Sequence, residues 1–252
     1  MTVTVKRPLE GRAALVTGAS RGIGKAIARR LGHEGASVAV NYVNDEQGAV
    51  AVVAAIEDAG GRAVSIQADL SDAGSVVGLC DKVRKSFGHW DILVNNAGTA
   101  TFGELTGITV EDYDRMFNLN VKAPYLLSRE AALYLQDGGR IINISSGITI
   151  SGSAGGAIYA GSKGALEQLT LCAAKELAKR NITVNTVSPG MTETDLLVSV
   201  FGGRAPLDAA AKAHPFGRLG VPDDIANVVA FLVGPDGGWI SGQNIRASGG
   251  SS

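Results

Sequence analysis

The feature that most constrains this chain is a regular alternation. Short apolar, β-branched runs (Ala13–Val16, Val38–Val40, Ala63–Ile66, Ile92–Val94, Arg140–Ile144 and Thr183–Val187) are separated by longer Ala-rich stretches of helical period. Parallel strands joined by right-handed helical crossovers are the simplest arrangement that buries such runs on both faces. The expectation is a three-layer doubly wound α/β fold of the Rossmann type, with a central parallel sheet of about seven strands. At 252 residues and 45% hydrophobic side chains the chain suits one core, and no linker-like tract marks a boundary, so a single dinucleotide-binding domain over 1–252 is expected. Residues 190–216 interrupt the alternation. There Leu196, Leu197, Val200 and Phe201 precede the pair Gly202-Gly203, a pattern that fits a substrate lid or a surface helical hairpin.

Charge narrows the partners. A formal net charge of -1 lacks the positive field that nucleic acid or an anionic membrane demands, so a small-molecule substrate is expected. Cys80 and Cys172 lie far apart, and His33, His89 and His214 are scattered, so neither a disulfide framework nor a metal site is expected. No long apolar segment occurs, and the opening MTVTVKRPLEG carries no leader-like apolar stretch; the expected location is cytoplasmic.

The first strand runs straight into Thr17-Gly-Ala-Ser-Arg-Gly-Ile-Gly24 and then into a helical pattern. Gly18, Gly22 and Gly24 let the backbone turn tightly and come close to a pyrophosphate, whose charge sits on the free N–H groups and positive dipole of the helix start. Ser20, Arg21 and Ile23 complete the candidate phosphate turn. A carboxylate closing the second strand would grip a ribose 2′-hydroxyl and repel a 2′-phosphate. This strand closes with Asn41-Tyr42, and Arg21 offers a guanidinium to a phosphate, so NADP(H) is favoured over NAD(H) despite Asp45 and Glu46 nearby.

The spacing Gly-xxx-Gly-x-Gly is followed by Asp69-Leu70, Asn95-Asn-Ala-Gly98, Asn120, Ser146, Tyr159-xxx-Lys163, Ser188-Pro-Gly190 and Ser241-Gly-Gln243. In this order and at these intervals the chain resembles, over nearly its whole length, the short-chain dehydrogenase/reductase family. Within it the chain resembles bacterial 3-oxoacyl-carrier-protein reductases and similar carbonyl reductases. The resemblance implies that Asp69 and Leu70 lie at the adenine and that Asn96, Ala97 and Gly98 line the adenine-ribose channel. It places Pro189, Gly190, Thr192 and Thr194 at the nicotinamide end, and it implies a homotetramer assembled through the long helices and the C-terminal strand.

Reducing a ketone leaves an alkoxide that needs a proton from an acid tuned towards neutrality. Tyr159 and Lys163 are four apart in a helical stretch, so they share one face. A cation about 4 Å away at an effective dielectric of 20 is worth about 4 kcal/mol, an upper limit of roughly three pKa units in favour of tyrosinate. Tyr159 is therefore the expected general acid/base and Lys163 the residue that lowers its pKa. By resemblance Lys163 also binds the nicotinamide ribose. Ser146, at a strand end, can donate to the carbonyl oxygen. By resemblance alone Asn120 holds a water that relays protons to Lys163.

The activity so implied is interconversion of a ketone and a secondary alcohol by hydride transfer with NADP(H). Phe102, Ile148, Ile158, Leu196 and Phe201 suggest a moderately hydrophobic ketone or a 3-oxoacyl group. The alternative is a non-catalytic NAD(P)-binding redox sensor or regulatory subunit, against which the intact Ser146, Tyr159 and Lys163 argue.

Overall fold

A computed structural model of the chain describes residues 7–251. Seven parallel strands form one sheet: β1 (Ala13–Val16), β2 (Ser37–Tyr42), β3 (Arg62–Gln67), β4 (Ile92–Asn95), β5 (Arg140–Ile144), β6 (Thr183–Pro189) and β7 (Asn244–Ala247). Their order is β3-β2-β1-β4-β5-β6-β7. All six predicted runs are strands. β1 and β5 match their expected bounds, and the others extend by a residue or two at their ends, where pairing with a neighbour continues past the apolar run.

Helices cover both faces because the strands alternate side chains between them. On one side Ala14 and Val16 of β1 pack with α1 (Gly22–His33), α2 (Glu46–Asp58) and α10 (Pro222–Val233). On the other, Ala13 and Leu15 pack with α3 (Gly74–Phe87), α5 (Ala123–Tyr134) and α7 (Ala157–Leu177). Local chemistry sets the helix ends. Asp45 caps α2 by accepting from Gly48 N at 3.0 Å, α3 stops at Gly88 with φ +83°, and Pro222 starts α10. α4 (Val110–Phe117), capped by Thr109, passes through a π-helical turn (Asn118–Lys122) into α5. Two short helices, α8 (Asp195–Val200) and α9 (Ala205–Ala213), lie between β6 and α10, and the one-turn α6 (Ile148–Ser151) precedes α7. Among the described residues no helix is long and apolar enough to cross a membrane.

The order reverses between β1 and β4, because the chain leaves β3 at one side of the sheet and re-enters beside β1. Their carboxyl ends diverge there into a crevice, the usual ligand position of an open parallel sheet.

One helix bordering that crevice, α7, is held to the sheet by polar side chains inside the apolar layer. Asn95 Nδ2 donates to Asn143 Oδ1 at 2.8 Å, and Asn143 Nδ2 donates to Thr170 Oγ1 at 2.8 Å. Thr186 Oγ1 lies 2.8 Å from the same Thr170 oxygen, which itself donates to Leu166 O at 3.0 Å. This ladder links β4, β5, β6 and α7, and all four residues are buried. A helix sliding by one residue would take Thr170 away from the Asn143 amide and the Thr186 hydroxyl and leave both without that partner, so the ladder sets the axial position of α7 as apolar packing cannot. Thr170→Val keeps the shape and removes the hydroxyl, leaving the Asn143 amide and the Thr186 hydroxyl unpaired. We expect a loss of about 2 kcal/mol of folding free energy in urea denaturation.

Candidate active site

The glycine turn is braced from below by two asparagines. Asn41, buried at the end of β2, accepts from Gly18 N through Oδ1 at 3.2 Å and donates through Nδ2 to Ala68 O at 3.1 Å. Asn96, just past β4, donates through Nδ2 to Thr17 O at 2.9 Å and Gly18 O at 3.1 Å. Thr17 returns the favour, its Oγ1 accepting from Asn96 N at 2.9 Å and Ala97 N at 3.0 Å. The side chains of Asn41 and Asn96, both expected to face a cofactor, are thus engaged with the protein's own backbone.

The turn itself needs glycine for two different reasons. Gly18 and Gly22 have φ of +59° and +56°, a region that side-chain-bearing residues rarely adopt. Gly24 is required by contact: a Cβ there would lie 2.4 Å from both Gly18 O and Asn96 Nδ2. α1 begins after Arg21 with no side-chain cap, so the N–H groups of its first turn face the crevice mouth beside Ser20 and Ile23. Arg21 is exposed and makes no ion pair among the described residues.

The other expected cofactor residues surround this turn. Tyr42 is buried at the end of β2, its phenol pushed up by burial and by the Glu46 carboxylate beside it. Asp69 lies exposed after β3, accepting from Ser71 N at 2.9 Å and Ser71 Oγ at 2.7 Å, while Leu70 turns into the core. Across the crevice, the strap after β6 comes back over the turn. Thr194, whose hydroxyl caps α8 by accepting from Leu197 N at 3.2 Å, places its methyl 3.5 Å from where a Gly22 Cβ would stand. Pro189 and Thr192 are buried, Thr192 Oγ1 donating to Gly190 O at 3.0 Å, and Gly190 N donates to Ala247 O at 3.0 Å. Residues 190–216 therefore form the two helices α8 and α9 about the Gly202-Gly203 break, where both glycines have positive φ.

The expected catalytic side chains meet at the carboxyl end of β5. Ser146 follows that strand, its Oγ accepting weakly from Ile148 N at 3.4 Å and lying within hydrogen-bonding reach of the Tyr159 phenol. Tyr159 and Lys163 sit in the first two turns of α7 on the face turned to the crevice. Lys163 is buried, and its Nζ donates to Ile144 O at 2.8 Å. Asn120, buried in the π-helical turn, accepts from Thr99 N at 2.9 Å and donates to Thr99 O at 2.9 Å and Ser162 Oγ at 3.1 Å. Gly98 lies between the two: a Cβ on it would stand 3.1 Å from Asn120 Oδ1 and 3.4 Å from Lys163 Nζ. All four expected catalytic residues thus border one corner of the crevice.

The electrostatics differ from expectation in one respect. The Tyr159 phenol, expected below its ordinary value, is pushed up by burial, with the Ser146 hydrogen bond acting downwards. Lys163 Nζ stands 6.0 Å from the Tyr159 ring centroid and donates a hydrogen bond to Ile144 O. The lysine pays for the same desolvation: burial lowers it to about 8, against the Glu167 carboxylate, which raises it.

Three contributors were missed in the sequence. Thr17 closes the backbone of the turn, Ser145 donates to Glu167 Oε1 at 2.7 Å, and Glu167 is the charge beside Lys163. Glu167 was detectable, being four residues past Lys163 on the same helix face. The other two act through partners tens of residues away.

Comparisons with known proteins agree with this geometry. A family profile described as Enoyl-(Acyl carrier protein) reductase matches residues 18–252. The chain is 46% identical to an uncharacterized oxidoreductase of Methylorubrum extorquens, covering 96% of this chain and 98% of that one. It is 44% identical to the hydroxynaphthalene reductase-like protein Arp2 of Metarhizium brunneum, covering 97% and 96%. Among solved structures it is similar to the angucycline C-6 ketoreductase LanV with bound NADP, with a TM-score of 0.92, 43% identity, and 97% and 96% of the two chains covered. The relatives are reductases and dehydrogenases, and the reading as a non-catalytic sensor is set aside. A parallel sheet with a glycine-turned first crossover, a Ser/Tyr/Lys corner and relatives matched end to end make this chain an oxidoreductase of the short-chain dehydrogenase/reductase family.

Proposed function

We propose that this enzyme is an NADP(H)-dependent ketoreductase acting on a hydrophobic, ring-bearing ketone, with Tyr159 as general acid. The observation that carries the reading is the corner where Ser146, Tyr159 and Lys163 converge beside the crevice. The residues present fit a dinucleotide: a turn in which Gly24 tolerates no Cβ, an α1 start without a side-chain cap, and Arg21 at the mouth. When bound, that group supplies the hydride. Backbone N–H groups from Gly18 to Gly24 hold its pyrophosphate, Arg21 takes the 2′-phosphate, and Asp69 and Leu70 border the adenine. Asn96, Ala97 and Gly98 line the channel between, and Pro189, Gly190, Thr192 and Thr194 flank the nicotinamide. Asn41 and Tyr42 shape the pocket wall from the end of β2.

The chain's own steps are proton and charge management. Ser146 donates to the carbonyl oxygen as negative charge develops there, Tyr159 transfers its phenolic proton to it, and Lys163 steadies the tyrosinate left behind. The Asn120 corner connects Lys163 to solvent protons. That Tyr159 is pushed up suits this direction, because the phenol keeps its proton until the oxygen needs it.

The substrate class rests on the approach to Tyr159. Phe102 lies against the Tyr159 ring, centroids 5.7 Å apart, and next to it a groove of about 310 Å³ is lined by Leu105, Ile108, Val110, Tyr113 and Ile158. LanV, which acts on an angucycline and has also been solved with NADP and rabelomycin, supports a polycyclic aromatic ketone over a 3-oxoacyl chain. In this reading 190–216 serve as a lid, Phe201 and Leu196 closing over the ring system within one domain. Exposed Leu171, Phe231 and Trp239 support assembly into a homotetramer, and the free thiols of Cys80 and Cys172 suit a reducing cytoplasm.

Tyr159→Phe keeps the ring and removes the proton. We expect turnover of an aromatic ketone such as a tetralone, followed by NADPH absorbance, to fall by 10²-fold to 10⁴-fold with NADPH affinity retained. Arg21→Ala is expected to weaken NADPH about tenfold and leave NADH within twofold, since a charge-assisted contact to phosphate is worth about 1.5 kcal/mol or more; equal losses for both cofactors would remove Arg21 from the 2′-phosphate.

A further inference from the structure

Behind the reacting groups lies a carboxylate to which the mechanism above gives no part. Glu167 is on α7, one turn beyond Lys163, and its Oε1 accepts from Ser145 Oγ at 2.7 Å. Ser145 is the residue between the end of β5 and Ser146, and its hydroxyl also lies 3.4 Å from Lys163 O. Ser188, buried near the end of β6 and directly before Pro189, approaches the same carboxylate oxygen at 3.4 Å, its shorter contact of 2.7 Å going to Asn244 Oδ1 on β7. One side chain therefore touches groups next to the carbonyl-polarising serine and next to the nicotinamide strap, on the helix that carries the acid.

We propose that Glu167 is a positioning residue of this site: its carboxylate, anchored by Ser145 one helical turn beyond Lys163, holds the Lys163–Tyr159 pair in its protonated state and ties α7 to the ends of β5 and β6. This rests on the reading of Tyr159 as the acid that protonates the ketone oxygen. A fixed negative charge favours the protonated form of each neighbour, the ammonium of Lys163 and the neutral phenol of Tyr159 alike. Burial pushes in opposite senses on the two groups, raising the phenol and lowering the ammonium to about 8, so without a counter-charge the lysine would give up its proton still earlier.

The other groups around Lys163 do not compete for this role. Ser145 and Ser146 after β5, Ser188 and Pro189 on β6, Asn244 on β7, and Asn120 in the π-helical turn carry no charge. Among the described residues, Glu167 is the charged group that acts on Lys163.

The test is the pH dependence of kcat/KM for NADPH-driven reduction of an aromatic ketone by the full-length enzyme and its Glu167→Gln and Glu167→Asp variants. Reduction consumes the phenolic proton, so its rate falls on the alkaline side as the pair deprotonates, and the midpoint belongs to the pair. Glutamine retains size and an acceptor for Ser145 but no charge, so we expect the alkaline midpoint to move down by roughly one pH unit. Aspartate keeps the charge and should bring the midpoint at least halfway back. An unchanged midpoint in Glu167→Gln, or an equal shift in Glu167→Asp, would overturn the proposal, because hydrogen bonding alone would then account for the residue. Should Glu167→Gln fail to fold by circular dichroism, Ser145→Ala, which frees the carboxylate to swing away, must shift the midpoint in the same direction by a smaller amount; no shift there also overturns it. A wild-type enzyme without ketone reduction, or an active Tyr159→Phe, would instead refute the acid assignment itself, so the two failures are separable.

Discussion

The arrangement of this enzyme turns on one ammonium held out of water. Bringing Lys163 from its ordinary value of 10.5 to about 8 corresponds to about 3 kcal/mol of cost for keeping it charged at neutral pH. That figure already includes the opposing field of Glu167, and the 2.8 Å hydrogen bond to Ile144 O gives the ammonium its partner. Both exist only if α7 lies at one position along the sheet, and the Asn95–Asn143–Thr170–Thr186 ladder sets that position. The buried charge is thus affordable because a polar seam, itself fully dependent on register, lies two helical turns below it. Stability is lowered at the lysine and recovered along the rest of the helix, the usual trade where a functional group is kept ionised inside a protein.

The opposite wall of the crevice works by another division of labour. There the polar side chains are engaged with the scaffold, and the backbone of the turn is the part proposed to bind. Asn41 and Asn96 hold the glycine turn from two neighbouring strands, and Thr17 ties that turn to the segment after β4. The turn's own N–H groups then need no induced rearrangement to meet an anion. An anion bound by backbone dipoles at a helix start would be held by main-chain groups, which depend on the glycines of the turn rather than on any one side-chain donor. Substitutions of the bracing residues are another matter, since they leave buried amide and carbonyl groups unpaired.

Six of the seven strands were legible in the sequence as apolar, β-branched runs that mark them almost to the residue, whereas β7, a partly exposed edge strand of sequence NIRA, carries no such run. The placement of the glycine turn, Ser146, Tyr159 and Lys163 was legible because each depends on local spacing: a strand end, a helix start, a four-residue step. What escaped depends on partners distant in the chain. Thr17 meets Asn96 across 79 positions and Ser145 meets Glu167 across 22. The tyrosine's electrostatics escaped for a related reason. Helical spacing placed the cation on the correct face but said nothing of where a flexible four-carbon stem would point. Lys163 reaches for Ile144 O and its Nζ lies 6.0 Å from the Tyr159 ring centre, and burial of the phenol, invisible in a one-dimensional pattern, wins.

That balance bears on which way the reaction runs. A phenol that keeps its proton is an acid suited to reduction, and one that has lost it is a base suited to oxidation. Burial of Tyr159 favours the proton staying and the Ser146 hydrogen bond favours its leaving; in the arrangement proposed for Glu167 its carboxylate would add to the first side and the lysine's charge to the second. The apolar approach through Phe102 and the neighbouring groove adds to the first side, because an occupant that fills it removes water from the phenol and deepens the desolvation. Under the proposed function a bulky ring system would contribute more than affinity. By drying the corner it would raise the cost of a tyrosinate until the carbonyl oxygen was in place to take the proton, so one apolar surface would set both the shape of the substrate and the protonation state of the proposed acid.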